Sequence, residues 1–193
     1  MNRRQVGFKK TKRLYVISTE GAETEPIYFQ EFRPGRDAHF RLKILGNPNH
    51  KSNPVDVVQR RLAYERRERP GPNTEYWAII DRDAWQEADL RSAYDLARER
   101  KDYHVAMSNP CFELWLWLHR RENREFADRH DCQRSLECEW PGYSKNNYDA
   151  GALLPLARQA CDRAENLAVH GQLWPHCQGT DVFRLVRIFF SSE

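Results

Sequence analysis

Tyr76 to Asp83, YWAIIDRD, is the stretch that most narrows what this chain can become, because an apolar run ends there abruptly in two acids two residues apart. Tyr76, Ala78 and Ile80 alternate with Trp77 and Ile79, so a strand over this run is apolar on both faces, as a central strand of a parallel sheet is. Asp81 and Asp83 follow at its carboxyl end. Alternate positions of an extended chain share a side, so the two carboxylates can converge on one hard cation. Carboxyl ends of strands are also where open α/β sheets bind their ligands. The plainer alternative is that Asp81 turns the chain and Asp83 caps the next helix, since Asp-rich turns are common for backbone reasons.

The segments on either side supply a sheet for that strand. Leu14–Thr19, LYVIST, reads as a first strand. Thr24 as a capping hydroxyl, Glu25 at the positive end of the dipole and Pro26 in the first turn then start a helix carrying Ile27, Tyr28, Phe29 and Phe32. Phe40–Leu45 alternates apolar and basic residues, as a strand with one wet face near a sheet edge does. Pro54 opens a helix to about Glu68 with Val55, Val58, Leu62 and Tyr64 inward, and Arg69-Pro70-Gly71-Pro72 stops it. After YWAIID come a helix from about Glu87 to Arg100 and a strand over Tyr103–Ser108. Asn109 as N-cap and Pro110 at the first helical position introduce CFELWLWLH, apolar nearly all round and therefore buried. Phe112, Trp115 and Trp117 read there as core rather than as base-stacking platforms, and Glu113 is the anomaly, because a buried carboxylate needs partners.

Strands alternating with helices imply an α/β fold with right-handed crossovers: a mostly parallel four-stranded, Rossmann-like sheet flanked by helices. The expected organisation is a basic tail over 1–13, an α/β core over 14–119, and a helical extension over 120–193 packed on that core as one compact domain. Residues 120–149 read as an inserted helix and loop. Ala150–Leu167 is amphipathic, with Pro155 delaying the helix start, and Gly179-Thr180-Asp181 caps a last helix, VFRLVRIFF.

Composition fixes the setting. With 193 residues, 40% hydrophobic content and six Trp, the chain can bury a sizeable core. It lacks both an apolar run of roughly 18 residues and a secretory h-region, and its five cysteines form no CxxC pair. A reducing, cytoplasmic location is expected. His130, Cys132, Cys138, His176 and Cys177 fit no standard zinc spacing. The net charge of +3 excludes a polycationic packing protein, but Arg3, Arg4, Lys9, Lys10, Lys12 and Arg13 form one cationic cluster and Arg60, Arg61, Arg66, Arg67 and Arg69 another. Such clusters beside a phosphate-handling site supply sequence-independent nucleic-acid affinity. Otherwise they are a solvated tail and helix face, and Glu65 and Glu68 lie within the second cluster.

On this topology Glu20 follows the first strand, Asp81 and Asp83 the third, and Asn109 and Glu113 the fourth, all at one sheet edge. Carboxylates gathered there suit Mg²⁺ or Mn²⁺, which take oxygen ligands and leave positions for phosphate and water. Glu23 and Glu25 share the loop with Glu20, and one of them is expected to serve as a cap or an Arg partner. Lys145 is placed to neutralise phosphate charge or else is a surface lysine.

The glutamate after the first strand and the Asp-x-Asp after the third resemble the Toprim domain of topoisomerases, primases and OLD-type nucleases. More narrowly, VISTEGAETEPIYFQEF, IIDRD, SNPCFELWLWLH and GTDVFRLV resemble the RloB family, from about Leu14 to Val186. The resemblance implies a Toprim-like fold and a small bacterial protein of restriction and phage defence, partnered by an RloA-type ABC/AAA ATPase. It makes Glu20 the Toprim acid, Asp81 and Asp83 the metal-binding pair, Glu113 an added site acid, and draws in Asn109 and Lys145. It further implies a Mg²⁺- or Mn²⁺-dependent nuclease for RNA, tRNA included, or DNA, with Lys9, Lys10, Lys12, Arg13 and Asn109 on the nucleic acid. A non-catalytic Toprim module that binds nucleic acid or docks on the ATPase is the alternative, and a homodimer stays open. Nothing resembles a topoisomerase's tyrosine-bearing domain, and no GxxxxGK[ST] phosphate loop is present.

Overall fold

The computed structural model describes residues 12–32, 39–47, 51–82 and 85–190. Its sheet runs in the order β2-β1-β3-β4-β5. β1 (Arg13–Thr19), β2 (Phe40–Leu45), β3 (Thr74–Asp81) and β4 (Tyr103–Asn109) are parallel, and the two-residue β5 (Gly179–Thr180) lies antiparallel to the end of β4. The fold is a mixed α/β, Rossmann-like one. The apolar run of β3 puts it inside the sheet, where Ile79 and Ile80 are buried on opposite faces, as are Val16 and Ile17 of β1.

Two apolar layers cover the sheet. On one face α2 (Pro54–Glu68) and α3 (Glu87–Arg98) bring Val57, Val58, Leu90, Ala93 and Ala97 against Val16, Ala78 and Ile80. On the other, α1 (Thr24–Gln30), α4 (Glu113–Arg120), α6 (Ala157–Glu165) and α7 (Val182–Phe190) cover Tyr15, Ile17, Trp77 and Ile79, and α5 (Arg129–Glu139) adds Cys132 and Leu136. Because α1 and α2 lie on opposite faces, the chain leaves β1 in one direction for β2 and returns past β1 to β3. The winding therefore reverses between β1 and β3, and the crevice outside their carboxyl ends is the place where such sheets bind ligands.

Three local expectations change. Gly179-Thr180, expected as a helix cap, is a fifth strand: the Asp181 N–H donates to Met107 O at 2.8 Å and the Ser108 and Thr180 hydroxyls bond at 2.8 Å. Two residues carry no period, so this pairing is a tertiary event that local sequence does not encode. Asn109 is the last residue of β4 rather than an N-cap, and α4 begins at Glu113 with Phe112 at its cap position. Thr24 does not cap α1, since its hydroxyl donates instead to Lys145 O at 3.0 Å. As Pro155 implies, the helix start is delayed: Ala150–Leu156 forms a 3-10 helix that contains Pro155, and α6 starts at Ala157.

Helix α4 is buried along its length, with Phe112, Leu114, Trp115 and Leu116 essentially inaccessible. His119 near its end is buried too, and its Nδ1 lies 2.8 Å from Trp115 O. A carbonyl only accepts, so Nδ1 carries the proton and Nε2 accepts from the Tyr28 hydroxyl at 3.1 Å. Burial lowers the His119 pKa to about 4. Among the described residues, no helix is long and apolar enough to cross a membrane.

Candidate functional site

The crevice between β1 and β3 is acidic. As β1 ends, the Glu20 N–H donates to Ile79 O at 3.0 Å, which fastens the loop to β3. Glu20 Oε2 accepts the Asp81 N–H at 3.1 Å and Oε1 the Trp85 indole N–H at 3.4 Å. Glu25, in the first turn of α1, is buried and accepts the Gly21 N–H at 2.8 Å. A Cβ at Gly21 would fall on the Glu25 carboxylate, so bare backbone is what lets this acid fold back onto the loop. Glu113, 4% exposed through its side chain, enters from the first turn of α4, where the helix dipole favours a carboxylate. Lys145 Nζ lies 3.3 Å from Glu113 Oε1. The lysine's turn is tied to α1 by the Thr24 hydroxyl and by the Tyr148 hydroxyl, which donates to Thr24 O at 2.7 Å.

Asp81 sits among the other three acids. Burial, then Glu25, Glu20 and Glu113, push its carboxyl well above the usual carboxylate range, with Arg129 acting the other way. The residue keeps some exposure, but Oδ1 is sealed from solvent and has no hydrogen-bond partner. Burial also raises Glu25, helped by Glu113 and opposed by the Gly21 N–H and Lys145. Four carboxylates facing two cations, with one oxygen buried and unsatisfied, match the charge and donor chemistry of a hard divalent ion. As the side chains stand, no three His, Cys, Asp or Glu among the described residues are spaced to hold a metal ion. Each Glu20 oxygen accepts one N–H, which orients the carboxylate and leaves a lone pair on each oxygen for an ion.

Of the residues singled out in the sequence, Glu20, Asp81, Glu113 and Lys145 come together here. Asp83, Lys9 and Lys10 lie outside the described residues. Asn109 does not join: its Nδ2 donates to Pro175 O and His176 O, both at 3.1 Å, and so clamps the segment leading into β5. Lys12 and Arg13 lie at the amino end of β1. Seven strand residues at about 3.3 Å each put them roughly 20 Å from the acids, and Arg13 pairs with Glu75 and Asn73. Lys12 and Arg13 therefore stand at the opposite end of β1 from the acids. From sequence, Glu25 reads as a helix-start acid, a cap or an Arg partner rather than a member of the site, because Thr-Glu-Pro at a helix start reads as capping. The clue was an acid one turn from Tyr28 and Phe29, on a helix face that must be buried. Arg129 comes from a stretch without periodicity and offered no signal.

A search of curated proteins and a search of solved structures each found no match. The sequence profile of the RloB-like protein family matches residues 15–189, which takes in both core strands, the acidic loop, α4 and α7. By that match, which spans most of its length, the chain belongs to the RloB-like family.

Proposed function

We propose that the β1/β3 crevice takes Mg²⁺ or Mn²⁺ and that the chain is a Toprim-type nuclease hydrolysing phosphodiester bonds of RNA, tRNA included, or DNA. The observation that carries this reading is the buried, unpartnered Asp81 Oδ1 ringed by Glu20, Glu25 and Glu113. Asp81, Glu20 and Asp83 would hold the ion, which when bound would supply Lewis-acid activation of the phosphoryl group and a more acidic water. Glu113 is the acid best placed to accept a proton from attacking water, and Lys145, 47% exposed through its side chain, can turn from Glu113 to a phosphate oxygen as charge builds there. In cells the reading extends to phage defence alongside an RloA-type ABC/AAA ATPase.

The direct test incubates the chain, alone and with that ATPase, with RNA and DNA in Mg²⁺ or Mn²⁺. Asp81→Asn is expected to lower the cutting rate by a factor of about 100 or more, as loss of a group that stabilises the transition state does, while circular dichroism stays unchanged. Full activity of Asp81→Asn at limiting Mg²⁺ would end the proposal. A second reading, a non-catalytic module that docks on the ATPase or on nucleic acid, draws support from the engagement of both Glu20 oxygens within the fold. It expects phage protection to survive a Glu20→Gln/Asp81→Asn double variant.

A further inference from the structure

Beside the acidic crevice runs a groove of about 810 Å³ between the end of β2 and α2. Its walls carry Lys43, Lys51, Arg60 and Arg67 against a single acid, Asp56, over a floor of Ile44 and Leu45. Among the described residues, Lys43, Lys51 and Arg60 make no ion pair, and Arg67 pairs only with Glu68. The Arg60 guanidinium donates to Thr19 O and Lys51 O, so its charge is fixed without being neutralised. Burial lowers its pKa while Asp56, Glu20 and Glu25 raise it, which places the groove within electrostatic reach of the acids. The two are also joined by bonds. Asn47 Nδ2 donates to Glu20 O at 2.9 Å while its Oδ1 accepts the Lys51 N–H at 3.0 Å, and Ala22, next to Gly21, lines the groove.

We infer that this groove binds the phosphodiester backbone of the nucleic-acid strand whose scissile phosphate reaches the β1/β3 carboxylates, an inference that rests on the nuclease reading above. A row of cations on β2, on α2 and on the segment leading into α2, beside four carboxylates, solves a problem that site poses. The acids repel a polyanion, and the groove supplies the attraction that brings one up to them. The arginine cluster of α2 divides accordingly. Arg61 turns inward to Glu65 and the Tyr103 ring, whereas Arg60 and Arg67 face the groove. The aliphatic floor gives bases or sugars an apolar surface, and the cations read phosphate rather than sequence.

The test measures binding of labelled single-stranded RNA and DNA oligonucleotides in EDTA, where nothing is cut, over a range of salt. Lys43→Gln/Lys51→Gln is expected to flatten the slope of log K against log salt by about 1.4, at about 0.7 per phosphate contact on a single strand. Lys43→Glu/Lys51→Glu/Arg67→Glu should weaken binding about tenfold or more near 0.1 M salt. All three side chains are exposed, so the fold is retained, as a thermal melt will verify. The control Arg91→Glu/Arg98→Glu/Lys101→Glu, on exposed positions of α3 and the turn after it, should leave affinity and slope unchanged. An unchanged slope in the groove variants, an equal loss in the control, or a wild-type chain without affinity at low salt would each overturn the inference. The two proposals fail separately: groove-dependent binding without cutting in Mg²⁺ retires the nuclease reading alone, and cutting abolished by Asp81→Asn but untouched by the groove variants retires the groove alone.

Discussion

Asp81 stands where a lone carboxylate is least stable: buried on one oxygen, without a hydrogen bond there, and facing Glu20, Glu25 and Glu113. A buried charge without partners costs more than its hydrogen bonds return, so in the absence of a cation this residue opposes folding. Asp81→Asn removes the charge and keeps the shape. In EDTA at neutral pH the variant should melt higher than wild type, by about 2–4 °C for each kcal/mol of repulsion relieved in a domain of this size. Added Mg²⁺ should then raise the melting temperature of wild type and leave the variant where it is. Differential scanning calorimetry with and without Mg²⁺ checks both, and a variant that melts lower in EDTA would mean that Asp81 has a stabilising partner after all. Lys145 acts in the opposite sense on Glu113. Removing it as Lys145→Ala leaves a buried carboxylate with its closest cation gone, and a loss of roughly 1–3 kcal/mol is expected in urea unfolding, whereas a half-exposed lysine with a purely surface role would cost under about 0.5 kcal/mol.

Helix α4 shows how an element can be legible while its ends are not. Its apolar circumference predicts burial, and the interior confirms it through Phe112, Trp115 and Leu116. Its start differs from the sequence expectation because Asn-Pro is a good local helix opening, while Asn109 is spent on Pro175 O and His176 O. The same lesson applies to α2, where Val58 and Tyr64 face inward as their spacing implies, but Arg61 is more buried than Leu62. Its long stem covers apolar surface while its guanidinium meets Glu65 and the Tyr103 ring, and periodicity scored by polarity cannot anticipate that. Helix α4 also carries a pH signature. His119 folds as a neutral ring with its pKa lowered from 6.5 to about 4, so its stabilisation is complete above the unfolded value and is lost as pH falls through the folded one. Unfolding free energy should drop between pH 6.5 and pH 4 with a slope from this group of at most about 1.4 kcal/mol per pH unit. His119→Phe should flatten that part of the profile, and an identical slope in wild type and variant would show that His119 is not the group responsible.

At the scale of the whole molecule, alternating patterns were enough to place four parallel strands, because each strand and each crossover helix carries its own period. The order β2-β1-β3-β4 then brings together acids that lie 61 residues apart, as the bond from Asp81 to Glu20 shows. The short antiparallel β5, the inward turn of Glu25 and the arrival of Arg129 depend on contacts made after the sheet exists, and no local signal marks them. The basic clusters divided the same way: position along β1 takes Arg13 to the far edge of the sheet, and the pitch of α2 takes Arg60 and Arg67 to the groove. The account as a whole depends on those acids sharing one divalent ion. Electron paramagnetic resonance of Mn²⁺ titrated into the wild-type, Glu20→Gln, Asp81→Asn and Glu113→Gln chains measures this without any assay of cutting. The account predicts a Mn²⁺ site in wild type that Mg²⁺ competes for, weakened in Glu20→Gln and Glu113→Gln and lost in Asp81→Asn; Mn²⁺ bound equally well by wild type and Asp81→Asn would contradict it.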